Sequence, residues 1–343
     1  MKEAVFLQEV KEIQLLKNAL TLLDWDSSTG MPEKSSPFRG EVEGYLTGLY
    51  FERSIGPVIQ EALAYFETRP EELSELGKLV FEKVKEEYAL NKNVPAERMQ
   101  EYVKVLNQAH TDWLKARAAQ DFGLLEETLT KVVAFQKEFI PYWQKEEKTP
   151  YDVLLNQFEP GMTVEKLDQV FDQVKQGIQE IRTVLAEKGT PPRTDFLSRK
   201  MTKEQQRRFV IGVVEQLGYD FSKGRLDDTV HPFMTALNRN DARITTRWEE
   251  NNFSMATFGV IHEAGHGMYE QNFDPKFDFT PLSEGASMGI HESQSLFNEI
   301  IIGSNRAFWQ KQYPFFQECA EGTFDDIAFE DFYASLKETK ASL

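Results

Sequence analysis

Between Ser254 and Phe273 the chain reads SMATFGVIHEAGHGMYEQNF, and five of those residues, His262-Glu263-Ala264-Gly265-His266, constrain everything around them. Positions i and i+4 of an α-helix lie one turn apart on one face, so both imidazoles can aim at a single metal ion. Glu263 follows His262 directly and is rotated roughly 100° round the helix axis. It can reach a water beside the metal without becoming a ligand. This is the H-E-x-x-H arrangement of a zinc hydrolase, with the glutamate as general base.

Two histidines leave such a zinc one protein ligand short. The longer H-E-x-x-H-x-x-G-x-x-H pattern is closed, because Tyr269 and Asn272 stand where it needs glycine and histidine. Glu270 shares the helix face but lies ~6 Å further along the axis than His266, too far to complete a tetrahedron. The next helix, expected over Ser283–Gln312, carries Glu284, His291, Glu292 and Glu299. Glu292 follows His266 by 26 residues, room for a helix end, a loop and an antiparallel return. Ser293 and Gln294 beside it can support it by hydrogen bonds. Glu292 is therefore the expected third ligand, with His291 next to it supporting the site or facing substrate. Four of the five histidines, His231, His262, His266 and His291, fall within 61 residues, as one site would require. His231, His291, Tyr269 and Arg243 are the candidate donors to a developing oxyanion.

The rest of the chain reads as mainly helical. Phe6, Val10, Ile13, Leu16, Ala19, Leu20 and Leu23 predict a helix over 4–24, ending at a turn-rich Asp24–Pro32 with Trp25 buried. Nearly continuous helix is expected over 37–147, and amphipathic helices over 163–188 and 202–217. Thr149-Pro150 and Glu159-Pro160-Gly161-Met162 mark the clearest breaks, which suggests an N-terminal helical region at 1–147 and a metal-site region at 148–343, interwoven as one catalytic unit. After Gly218 the texture changes. Thr229–Phe233 and Ala242–Arg247 read as short antiparallel strands around an Asn238–Asp241 turn, and their free edge suits an extended peptide.

Composition narrows the partners. A net charge of −17 over 343 residues argues against nucleic acid and anionic membranes. The single cysteine, Cys319, excludes an intrachain disulfide and a cysteine-based zinc site. The amphipathic N-terminus and the lack of a long apolar run predict a cytoplasmic protein without a membrane span.

His231-Pro232-Phe233, Asp241-Ala242-Arg243-Ile244-Thr245, His262–His266 and His291-Glu292-Ser293-Gln294 together resemble the carboxypeptidase Taq family of metallocarboxypeptidases, which carries H-P-F, D-x-R-x-T, H-E-x-x-H and H-E-[SG]-Q in this order. The resemblance extends to Trp25-Asp26, Met31-Pro32 and Glu159–Met162. It implies a helical bundle with a deep groove, similar to the neurolysin type. It also implies zinc, or cobalt in some members, on His262, His266 and Glu292, with Glu263 as base. The implied activity is removal of single C-terminal residues from peptides, by a homodimer. His231, Asp241, Arg243, Thr245, Tyr269 and His291 are the residues this likeness and the spacing place in the substrate-binding or supporting set.

Two later family motifs, I-R-x-x-A-D and G-x-x-Q-D-x-H-W, do not occur in these residues. The first supplies the family's arginine for the substrate carboxylate. The expectation is therefore a complete metal site without that clamp, a last helix over Phe324–Leu343, and apolar surface exposed around Phe308, Trp309, Phe315 and Phe316. Two other readings stand beside it: a zinc oligopeptidase, which would still cut amide-blocked peptides, and a non-enzymatic metal-stabilised scaffold, which would cut none.

Overall fold

A computed structural model describes residues 1–338. Contacts divide the chain into two units: Met1–Gly161 with Asp274–Glu284, and Met162–Phe273 with Gly285–Leu343.

The first unit is built from α1 (Glu3–Thr29), α2 (Ser36–Ser54), α3 (Pro57–Phe66), α4 (Glu75–Asn91), α5 (Ala96–Ala119), α6 (Gly123–Trp143) and α7 (Pro150–Phe158). Phe6, Val10 and Ile13, spaced three and four residues apart, bury one stripe of α1 against Ile59, Ala62 and Phe66 of α3 and Val80, Phe81 and Val84 of α4. A second core joins Phe51 to Phe135, Phe139, Ile140 and Trp143. The first helix runs to Thr29, past the break expected at Asp24. Asp26 pairs with Arg39 from α2 and buried Trp25 packs from within the helix, so the polar cluster continues α1 instead of capping it.

The second unit holds α8 (Val164–Lys188), α9 (Lys203–Leu217), β1 (Leu226–Asp228), β2 (Met234–Asn238), β3 (Asp241–Thr246), α10 (Phe253–Gln271), α11 (Met288–Leu296), a π-helical turn at Phe297–Ile302, α12 (Arg306–Ala320) and α13 (Phe329–Ser335). Thr163 and Thr202 cap α8 and α9 through their hydroxyls. The sheet order is β1-β3-β2, with β2 antiparallel and β1 parallel to β3. The expected antiparallel pair is present as β2 and β3, and β1 adds a parallel third strand.

The strand expected at Thr229–Phe233 is a loop. Pro232 has no N–H to give a ladder, and the Phe233 N–H goes to the Thr245 hydroxyl at 2.8 Å. The hairpin strand starts at Met234 instead. Its turn narrows to Arg239-Asn240, closed by Asn240 N–H donating to Asn238 Oδ1 at 2.9 Å.

The single helix expected over Ser283–Gln312 is three pieces. Ser287 caps α11, the π turn widens it, and Asn305 caps a new start at α12. Likewise the helix expected from Phe324 shortens to α13, and 339–343 lie outside the described residues.

The exposed apolar surface expected around Phe308, Trp309, Phe315 and Phe316 is not found. Trp309 and Phe316 are fully buried and Phe308 and Phe315 pack against the same core. Phe316 packs edge-on against Phe209 and tilted against Phe253, Phe324 and Phe332, and Trp309 donates its indole N–H to Gly303 O at 2.6 Å. The aromatic side chains expected to be exposed pack into this core instead.

Candidate metal centre

Burial surrounds α10 on every side: Phe253, Ala256, Thr257, Val260, Ile261, Ala264, Gly265, Gly267 and Gln271 are all enclosed. It packs against α9, β2, β3, α11 and the π turn. Gln271 fixes its end, accepting from Asp220 N–H at 3.0 Å and donating to Asp220 O at 2.9 Å. A helix held this way presents its polar residues at fixed positions.

Gly265 sets the approach of α11. A Cβ there would sit 2.6 Å from Gln294 O and 2.7 Å from Ser295 Cα, so only glycine lets the two backbones come this close. The close approach carries Glu292 over the two histidines. Its Oε2 lies 3.3 Å from His266 Nε2 and 3.7 Å from His262 Nε2. One ligand atom from each of His262, His266 and Glu292 falls within 4.8 Å of the others. Two imidazole nitrogens and one carboxylate oxygen form a donor set suited to a catalytic zinc. The Ser295 hydroxyl donates to the Glu292 side, at 2.6 Å to its carbonyl and 3.1 Å to its Oε2.

The far side of each histidine is occupied. His262 Nδ1 meets Glu299 Oε2 at 2.8 Å, which raises the His262 pKa and turns Nε2 toward Glu292. His266 Nδ1 meets His291 Nδ1 at 2.6 Å, and His291 Nε2 meets Glu270 Oε1 at 2.8 Å. Burial, with His291 and His262 beside it, pushes the His266 pKa down to about 4, so the ring is neutral near neutral pH. Glu263 is buried between these groups. Burial first, against the opposing pull of His262, and then repulsion from Glu292 and Glu299 push its pKa up to about 7. A carboxyl titrating there can both take and return a proton.

Of the other residues singled out in the sequence, Tyr269 packs edge-on against His291, centroids 5.3 Å apart. His231 is exposed in the β1–β2 loop. Asp241, Arg243 and Thr245 alternate along one face of β3. Arg243 donates twice to Asp241, both at 2.8 Å, and that pairing holds its guanidinium pKa above the ordinary value. Fully buried Thr245 accepts from Phe233 N–H and donates to Phe233 O, each at 2.8 Å, so the H-P-F loop is clamped to β3. What the structure shows for this second pair of motifs is their part in the sheet.

Two carboxylates beside the histidines have contacts that differ from the expectation. Glu299 was one of four polar residues on the next helix, yet it stands two turns after Glu292 on the same face, which is the signal for a shared role. Glu270 was weighed only as a ligand, while its contact is with His291.

Two histidines and a carboxylate grouped beside a buried Glu263 suit a metal centre. Residues 5–343 match the Carboxypeptidase Taq (M32) metallopeptidase family, and the chain belongs to that family. It is 42% identical to Carboxypeptidase 1 of Bacillus subtilis over 340 residues, 99% of this chain and 68% of that protein. It is 31% identical to Thermostable carboxypeptidase 1 of Thermus thermophilus, over 97% of this chain and 67% of that one. The crystal structure titled BsuCP superposes with a TM-score of 0.96 at 42% identity, covering 99% of this chain and 68% of that chain. The M32 carboxypeptidase from Deinococcus radiodurans R1 gives 0.87 at 32% identity, covering 96% and 66%. The chain therefore spans about two thirds of these relatives' lengths. Among the described residues no helix is long and apolar enough to cross a membrane.

Proposed function

We propose that this M32 metallopeptidase is a zinc-dependent carboxypeptidase that removes single residues from the C-terminus of peptides. The observation that carries the reading is the convergence of His262 Nε2, His266 Nε2 and Glu292 Oε2 beside a buried Glu263. The names of its relatives support the choice of the peptide's end.

The residues fit the metal. Both Nδ1 atoms are occupied elsewhere, leaving two Nε2 atoms and one carboxylate oxygen facing a common point. Zinc held there supplies Lewis-acid polarisation and makes water acidic near neutral pH. Cobalt accepts the same donor set as a substitute. Glu263 takes the proton from the attacking water and hands it to the leaving amine. Its raised pKa matches both halves of that task. Tyr269, His231 and Arg243 are the proposed substrate-side donors.

The test is free amino-acid release from peptides with open and amide-blocked C-termini. Release from open peptides only, abolished by a chelator and restored by zinc, is the expected result. Glu263→Gln should lower turnover by about 10²–10⁴-fold while zinc binding persists. Cleavage of blocked peptides at equal rate would reassign the chain as an endopeptidase.

A further inference from the structure

Glu299 touches His262 directly, but the support of His266 runs through a second imidazole. His291 has a nitrogen on each neighbour: Nδ1 at 2.6 Å from His266 Nδ1 and Nε2 at 2.8 Å from Glu270 Oε1. Glu270 is nine-tenths buried and His291 is mostly so. The two histidine rings meet edge to edge through these nitrogens, with centroids 4.5 Å apart, and Tyr269 closes the edge of His291. Gly285 leaves room for the ring, since a Cβ there would meet His291 Cδ2 at 2.7 Å.

A carboxylate only accepts hydrogen bonds, and a neutral imidazole carries one N–H. A neutral His291 facing Glu270 carries its proton on Nε2. Its Nδ1 is then an acceptor, so His266 Nδ1 must be the donor. That leaves His266 Nε2 bare toward His262 and Glu292.

We propose that Glu270 and His291 are positioning residues, a two-step chain that fixes the tautomer of His266 and thereby its competence to bind zinc. This rests on the metal reading above. It also withdraws His291 from the oxyanion donors, because its only N–H is given to Glu270. The two metal-binding imidazoles are then oriented by different means: a carboxylate in contact for His262, and a carboxylate acting through an imidazole for His266. Partners of this kind are worth about 10–100-fold in metal affinity.

The experiment measures zinc affinity by chelator competition on the full chain, with the histidine tautomers read by ¹⁵N–¹H correlation on the metal-free protein. Glu270→Gln keeps the shape and weakens the acceptor. His291→Phe keeps an aromatic ring and removes both nitrogens. Each variant should raise the zinc dissociation constant by about tenfold or more. The parent should show His266 protonated on Nδ1, and His291→Phe should show a mixture. The proposal is overturned if both variants bind zinc within about twofold of the parent, or if the parent carries the His266 proton on Nε2. Should His291→Phe fail to fold, Glu270→Gln decides alone. A parent that binds no zinc, or His266→Ala binding it as well as the parent, would instead overturn the metal reading, while the tautomer measurement would still judge the positioning.

Discussion

Two helices of the second unit make opposite use of the same material. Both α8 and α10 are long, and both carry apolar residues three and four positions apart. In α10 eleven of 19 residues are buried, on every face, including two glutamates. In α8 none of 25 is buried, and Phe171, Val174, Ile178, Ile181 and Leu185 are each at least half exposed. Periodicity alone announces a helix equally well in both. What separates them is enclosure: α10 is pinned by the sheet and two helices, and only such a pinned helix can hold donors within tenths of an ångström. The cost of that enclosure falls on Glu263, whose carboxylate is kept where water cannot solvate it.

Substitutions should break the pair apart. Ile261→Ala removes a fully buried side chain from α10 and should cost about 2–5 kcal/mol in urea unfolding. Next comes Glu263→Gln in the metal-free protein. A carboxyl whose folded pKa is about 7, above its ordinary 4.5, binds its proton more tightly when folded. It therefore costs nothing below about pH 4.5 and progressively more up to about pH 7. Glu263→Gln should thus unfold like the parent at pH 4 and be more stable by up to ~3 kcal/mol at pH 8. An equal difference at both pH values would mean that the carboxyl is not strained by burial. Gly265→Ala is smaller, ~1–3 kcal/mol, because its Cβ must push α11 away at Gln294 and Ser295. It should also weaken zinc binding, since Glu292 rides on the displaced helix.

Much of this was legible in the sequence, and unevenly. His262, Glu263 and His266 follow from helical spacing, and Glu292 from counting a loop and a return. Their partners did not follow, because Glu299 and Glu270 act on the histidines and not on a metal, so ligand geometry gave no reason to choose them. Helix interiors were read well and ends less so. Asp24 to Ser28 looks like a break but forms helix because Arg39 and Trp25 stabilise it from the side. The Thr229–Phe233 strand failed since a β-branched start could not outweigh Pro232. The aromatic residues near 308–316 were the clearest misreading. The exposure expected there rested on the absent later motifs, which say nothing of what packs on these rings, and Phe209, Phe253, Phe324 and Phe332 cover them.

The smallest effect is expected where the apolar pattern is most regular. Val164, Leu167, Phe171, Val174, Ile178, Ile181 and Leu185 alternate by three and four along α8, the seam of a coiled coil. Ile178 and Ile181 are nonetheless 51% and 61% exposed. A side chain already in water loses no burial when it becomes polar, so Ile178→Gln should shift unfolding by less than ~0.5 kcal/mol, against ~2–5 for Ile261→Ala. The contrast is the measurement, made on both variants under one set of conditions. A cost for Ile178→Gln approaching that of Ile261→Ala would mean that α8 is enclosed in solution as α10 is, and the difference drawn between the two helices would fall.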